Sequence, residues 1–399
     1  MTNEINEIQE LNVGVVGHID HGKTSLLSKL TGKFTDTHSE ELKRGITIKL
    51  GYADMTIYKD GKSYNNKKGK PFRYVSFVDA PGHEMLMATM LSGAAIIDAA
   101  ILVVSAQEGI KPQTKEHFIA LQAKNIKNII IVQNKIDLVS KDQALENYRK
   151  IKEFVKGTLA ENAPIIPVST LQEININKVV EELALLEIPK KETNTPPIFL
   201  VARSFDINRP GTEIQKLNGG VLGGVLKKGI LRVGDEIEIK PGLSAKKAHK
   251  QTYHTLTTRI LSLHKGKETL KEVHPGASIS IETSLDPFLA KTDSLTGCLV
   301  STKGNLPDIT LKINVKPHLF SNVSGTSEQQ KIESIKTKEM LMLNVNTTIT
   351  VGTVEKISKG NEIEFSLNTP VVALKDDNVG IARNFGGHWR LIGWGEIIE

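Results

Sequence analysis

"NVGVVGHIDHGKT" (residues 12–24) begins as an apolar run, stops at Gly17 and ends in Gly22-Lys23-Thr24. Gly17 to Thr24 fits G-x-x-x-x-G-K-[ST], lying between a strand-like run and a helical segment that opens at Lys23. In that context backbone N–H groups turn inward around a phosphate, and the helix N-terminus adds its positive end. Lys23 is placed to reach β- and γ-phosphates and the Thr24 hydroxyl to ligate Mg2+. The loop residues His21, Gly22 and Ser25 line the same pocket.

Outward from this loop, apolar runs alternate with amphipathic segments. "YVSFVDA" (74–80), "AAILVVSA" (99–106), "NIIIVQN" (128–134) and "PIIPVS" (164–169) precede helical patterns over 83–95, 113–123, 141–156 and 174–187. Such interleaving predicts right-handed crossovers and an α/β domain with a doubly wound, mostly parallel sheet. Past "KKETNTPP" (190–197) helical periodicity fades. Short β-type runs follow, among them "DEIEIKPG", "GASISIETS", "LMLNVNTTITVGTV", "NEIEFSL" and "TPVVAL", and they predict all-β barrel domains. The expected domains are 1–195, 196–302 and 303–399, the second boundary falling in "STKGNLPD" (301–308).

At 399 residues the chain exceeds one usual core, and its 39% hydrophobic and 24% charged shares are those of a soluble globular protein. No apolar run approaches the roughly 18 residues of a membrane span, and the acidic, polar start is unlike a secretory signal, so a cytoplasmic location without a membrane partner is expected. The lone Cys298 allows no internal disulfide framework and reads as a buried small hydrophobe. Residues 196–302 hold 15 Lys+Arg against 10 Asp+Glu, so +5 of the net +6 sits in the middle third. That excess suits a phosphate-bearing partner or a solvated charged face.

Two further stretches select among nucleotide enzymes. "DAPG" (79–82) ends a strand, so Asp79 can reach the metal through water and the Gly82 N–H can sense a γ-phosphate. "NKID" (134–137) ends another. There Asn134 can hold the base edge, the Lys135 stem can pack along the ring, and Asp137 can accept two hydrogen bonds that guanine offers and adenine does not. Ser169, Thr170 and Leu171 follow the next strand, where a backbone N–H can meet the guanine O6. Buried groups left unpaired by adenine would cost several kcal/mol, which makes GTP the expected ligand. "HSEELKRGITIKLGYAD" (38–54) suits a segment ordered by γ-phosphate and Mg2+, with Thr47 as metal-binding hydroxyl.

"GHIDHGKT", "RGITI", "DAPGH" and "NKID", followed by two β domains, resemble the translational GTPases of the elongation factor Tu type. "HSEELKRGITIKLGYAD", "DAPGHEMLMATMLSGAAIIDAAILVVSA", "IVQNKIDLVS", "RSFDINRPGT" and "WRLIGWGEI" narrow the likeness to the gamma subunits of archaeal and eukaryotic translation initiation factor 2. The resemblance implies a GTP form that binds methionylated initiator tRNA and delivers it to the small ribosomal subunit. It also implies a heterotrimer with alpha and beta subunits, and release after hydrolysis to GDP. It implies that His83 orients the attacking water, that Ile19 and Ile46 screen it, and that Asp20 joins Thr24, Thr47 and Asp79 around Mg2+. With no arginine finger assignable, intrinsic turnover is expected to be slow and raised by a partner.

For the tRNA acceptor end, the resemblance points to a cleft between the first two domains. Tyr52, Arg203 and Phe205 have suitable chemistry, and ordinary packing explains them equally well. "KKAHK" (246–250) and His264-Lys265 read as an RNA or subunit contact or as solvated loops. Where relatives carry a four-cysteine zinc knuckle, this chain has "KDGKSYNNKKGKPF" (59–72), so no zinc is expected. The flanks 47–58 and 72–79 are expected to pair, leaving 60–70 as a solvated hairpin tip or as a basic finger with Lys62, Tyr64, Lys67, Lys68 and Lys70. An elongation-type carrier of aminoacyl-tRNA, including the selenocysteine-specific kind, and a non-hydrolysing nucleotide-dependent scaffold are the competing readings.

Overall fold

The computed structural model describes residues 8–32, 50–79, 87–247, 250–321, 331–375 and 377–398. The chain divides into two compact units between Pro189 and Lys190. The first is built on strands β1 (Gln9–Gly17), β2 (Gly51–Asp60), β3 (Ser63–Asn65), β4 (Lys70–Asp79), β5 (Ala99–Ser105), β6 (Asn128–Asn134) and β7 (Ile165–Pro167). They form one seven-stranded sheet in the order β3-β2-β4-β1-β5-β6-β7. From β4 to β7 all neighbours are parallel; β2 and β3 add an antiparallel edge.

Strand β5, "AAILVVS", is buried along its whole length, as a parallel strand covered on both faces must be. Leu11, Val13, Val15, Phe77, Ile101 and Val132 pack with Leu26, Leu27 and Leu30 of the Lys23–Thr31 helix and Val179, Val180 and Leu183 of the Ile176–Leu185 helix. Each such side chain contributes about 1.5–3 kcal/mol. The Lys141–Val155 helix starts at a capping box: Ser140 Oγ accepts from the Gln143 N–H, and Gln143 Oε1 accepts from the Ser140 N–H at 2.9 Å. Register places Asp79 beside Val15, Val103 beside Gly17 and Asn134 beside Ser105. Neighbouring strands thus end together, at the edge where open α/β sheets bind ligands.

The expected helices at 113–123, 141–156 and 174–187 appear as Pro112–Ala123, Lys141–Val155 and Ile176–Leu185. Of the segment 83–95, a helix Met87–Ala94 is described, and 80–86 lies outside the described residues. The hairpin expected from 47–58 and 72–79 is longer at its tip, running Gly51–Asp60 against Lys70–Asp79. Within the stretch expected to be all loop, Ser63–Asn65 forms a third strand paired to β2. Tyr64 anchors it: its ring meets Phe72 at 4.8 Å between centroids, and both pack against the core.

In the second unit, strands Glu236–Lys247, Leu299–Thr302, Ile198–Phe205, Val221–Lys228, Ser278–Thr283 and Lys250–Lys265 pair in that order, and the last pairs with the first. A second closed barrel runs Ile309–Leu319, Ile363–Val372, Thr348–Ile357, Met340–Val345, Asn378–Phe385 and His388–Ile397. Alternate residues point inward, as in "SISIET", where Ile279, Ile281 and Thr283 are buried. Closure removes the unpaired edges that would invite aggregation. "NEIEFSL" and "TPVVAL", read as separate runs, share one strand, Ile363–Val372. Cys298 lies in the first barrel's core, its thiol pushed up to about 11 by burial. Among the described residues no helix is long and apolar enough to cross a membrane.

Candidate functional site

Glycine is required at Gly22, whose φ is 90° and where a Cβ would lie 2.3 Å from Asn134 Nδ2. The loop is held from several sides. The Gly17 N–H donates to His117 Nδ1 at 2.9 Å, and the Ile19 N–H donates to Gln113 Oε1 at 3.3 Å. His21 is fully buried with Nδ1 3.2 Å from the Val103 carbonyl. Lys23 is 7% exposed, its ammonium donating to the His18 carbonyl at 2.9 Å. The Thr24 hydroxyl donates to Asp79 Oδ2 at 3.0 Å, and Asp79 is wholly buried. Asp20 and Ser25 are exposed and Ile19 is half-buried.

The imidazoles around this loop are neutral. Burial pushes His117 down to about 3, with the Lys23 charge adding to the effect, and pushes His21 down to about 4. His117 Nδ1 is thereby an acceptor for the Gly17 N–H at neutral pH. Loop and lysine supply N–H groups and one ammonium where phosphates of a nucleotide would lie.

At the end of β6, Asn134 is completely buried and ties two loops together. Its Nδ2 donates to the His21 carbonyl at 2.9 Å and its Oδ1 accepts from the Thr170 N–H at 3.3 Å. An amide carries two donor hydrogens, and the His21 bond uses one of them. Lys135 takes a left-handed conformation at φ 63°, opening the short turn Ile136–Leu138 that presents the half-buried Asp137. The Ser169 N–H bonds to the Ile174 carbonyl, which, with the Asn134–Thr170 bond, folds the 169–171 turn and leaves Leu171 exposed. Underneath, Gln133 Nε2 donates to Asn147 Oδ1 and to the Ala144 carbonyl, both at 2.8 Å.

The phosphate-loop, base-loop and Asp79 residues predicted from sequence therefore meet at one edge of the sheet. Thr47, Ile46, Gly82 and His83 lie outside the described residues. Tyr52 is half-buried on β2. In the second unit Arg203 pairs with Asp293 at 2.8 Å and lies over the Phe205 ring at 5.8 Å. His264 Nε2 is 2.8 Å from Ser262 Oγ, within the barrel wall. Gln113 and His117 escaped the sequence reading. Their signal was available in "PQTKEH": a proline at the helix start and two polar residues at i and i+4, hence on one face.

Fold and site together define a class: a GTPase of the elongation factor Tu type, with two β-barrels following its nucleotide-binding domain. The family model for the Elongation factor Tu GTP binding domain matches residues 9–189, and that for Initiation factor eIF2 gamma, C terminal, matches 311–397. The chain is 51% identical over 400 residues to Translation initiation factor 2 subunit gamma of Methanocaldococcus jannaschii, covering 97% of each protein. It is 50% identical to the same subunit of Pyrococcus horikoshii, covering 98% of each. The chain therefore belongs to the family of translation initiation factor 2 gamma subunits, and is a GTP-binding translation initiation GTPase.

Solved structures agree in fold. A bacterial selenocysteine-specific elongation factor, EF-Sec, superposes with a TM-score of 0.78 at 22% identity, covering 98% of this chain and 58% of that one. Translation elongation factor SelB of Methanococcus maripaludis, in complex with the GTP analogue GppNHp, gives 0.74 at 26% identity, covering 98% and 79%. The scaffold is thus shared with elongation factors, while sequence identity separates the families.

Proposed function

We propose that the GTP-bound form binds methionylated initiator tRNA and delivers it to the small ribosomal subunit in the cytoplasm, as the core of a heterotrimer with alpha and beta subunits. Hydrolysis of GTP by water to GDP and phosphate then releases the tRNA. The observation that carries this reading is the 51% identity to an initiation factor gamma subunit over 97% of both chains, barrels included.

In this reading Lys23 holds the β- and γ-phosphates, with His21, Gly22 and Ser25 around them and Gly82 at the γ-phosphate. Asn134, Lys135 and Asp137 select guanine, completed by the turn Ser169, Thr170 and Leu171. The Asn134–Thr170 bond, at 3.3 Å, is long enough to be exchanged for a contact with the base. Thr24 and Asp79, already bonded at 3.0 Å, fit a site for Mg2+, with Thr47 and Asp20 as further residues toward it. Mg2+ held there would supply neutralisation of phosphate charge. His83 orients the attacking water, screened by Ile19 and Ile46 until a partner rearranges them, which makes intrinsic turnover slow. Tyr52, Arg203 and Phe205 serve the acceptor end of the tRNA. Domains at 1–195, 196–302 and 303–399 belong to the same proposal.

Filter binding of initiator and elongator methionyl-tRNA tests it, with a GTP analogue and then with GDP. Retention of the initiator species alone, and with the GTP analogue alone, is expected. Equal retention of both tRNAs would overturn the reading.

A further inference from the structure

Residues 59–70, "KDGKSYNNKKGK", hold five lysines and one aspartate, a charge of +4, while the whole 399-residue chain carries +6. The other 387 residues therefore share only +2. All five lysines are exposed. The nearby Glu173 carboxylate is already bonded to Lys29 at 2.7 Å. Lys59 stands directly opposite Lys70 on β4 and opposite Tyr64 on β3, so the two lysine side chains leave the same face of the sheet. Like charges in that position cost stability, relieved here only in part by the Tyr64 ring, 5.9 Å from Lys59 Nζ.

The backbone that carries these charges is preformed. Asn65 Oδ1 accepts from the N–H groups of both Lys67 and Lys68 at 2.9 Å. Asn66 Nδ2 donates to the Leu30 carbonyl at 2.8 Å, fastening the hairpin to the end of the Lys23–Thr31 helix. Gly69, at φ 128°, lets the chain pass where a Cβ would sit 2.6 Å from the Lys59 carbonyl oxygen. Preordering lowers the entropy lost when a partner docks.

We infer that the 59–70 hairpin grips the phosphate backbone of RNA through Lys62, Lys67, Lys68 and Lys70. A protein partner fits less well: protein interfaces are depleted in lysine and enriched in aromatic and apolar side chains, and the hairpin exposes no large hydrophobic residue. A phosphate chain is recognised by clustered cations of this kind. The inference takes from the proposed function only the presence of RNA partners.

The test replaces Lys62, Lys67, Lys68 and Lys70 with glutamine in the full chain, and separately with arginine. Binding to initiator methionyl-tRNA and to small ribosomal subunits is measured across a potassium chloride series, with GTP affinity as the folding control. For at least one RNA partner the glutamine variant is expected to flatten the log Kd against log salt slope by about 2 to 3, and arginine to restore it. Unchanged slopes with both partners would overturn the inference. So would unchanged slopes accompanied by weaker binding of the alpha or beta subunit, which would make the hairpin a protein contact. Failure of the wild type to prefer initiator tRNA would sink the proposed function and leave the slope comparison intact.

Discussion

Lys23 in the phosphate loop is 7% exposed and bonded to a backbone carbonyl, whereas Lys62, Lys67 and Lys68 on the 59–70 hairpin are exposed to solvent. Both turns contain glycine and lysine and both are ordered, but by different means. The phosphate loop borrows its order from distant elements: His117 and Gln113 from one helix, Asn134 from β6, the Val103 carbonyl from β5. The hairpin is held mostly by its own neighbours, with Asn65 bridging residues two and three positions on and Tyr64 anchoring the short third strand. A turn that must fit a ligand is held from outside, by bonds from several distant elements. The hairpin, in contrast, leaves its lysine side chains exposed to solvent.

This contrast can be broken by substitution. Lys23→Ala removes the nearly buried cation proposed to hold the β- and γ-phosphates. Loss of GTP affinity of about 100-fold or more is expected by titration calorimetry, since charged buried contacts exceed neutral ones in cost. His117→Ala leaves the Gly17 N–H without its acceptor, a penalty of about 1–3 kcal/mol. A roughly ten-fold weaker nucleotide affinity is the expected reading, and wild-type affinity would remove His117 from the loop's support.

The same residue gives a pH dependence. His117 is held near 3 in the fold and returns to its ordinary value, near 6.5, on unfolding, so the folded form binds fewer protons between those values. Its contribution therefore lowers stability as pH falls from about 6.5. His117→Gln, which keeps an acceptor but cannot titrate, should flatten the fall in thermal midpoint between pH 6.5 and 5. The smallest effect is expected at the hairpin: Asn65→Ala should cost about 1 kcal/mol locally, read as faster amide exchange at Lys67 and Lys68 with unchanged GTP affinity.

Much of this was legible in the sequence because its signals are local. "GHIDHGKT", "DAPG" and "NKID" each end an apolar strand, and a short β-branched run such as "AAILVVS" suits a strand covered on both faces, which it forms. What escaped depends on which elements lie side by side. Gln113 and His117 matter because their helix passes the end of β1, a fact of topology that no window around them contains. Asn134 carried a base-binding signal, but its second task, joining two loops, needed the fold. The strand Ser63–Asn65 was hidden in a polar stretch whose single aromatic, Tyr64, finds Phe72 across the sheet. Its flanking lysines, visible from the start as a charge run, gained meaning when Lys59 and Lys70 proved to face each other.

The most direct test joins the base site to the tRNA. Asp137→Asn exchanges the carboxylate proposed to select guanine for an amide that suits xanthine, so the variant should retain initiator methionyl-tRNA with a xanthosine triphosphate analogue and lose it with the guanosine analogue. Undiminished retention with the guanosine analogue would contradict the account, because Asp137 would then not be the residue through which nucleotide controls tRNA binding.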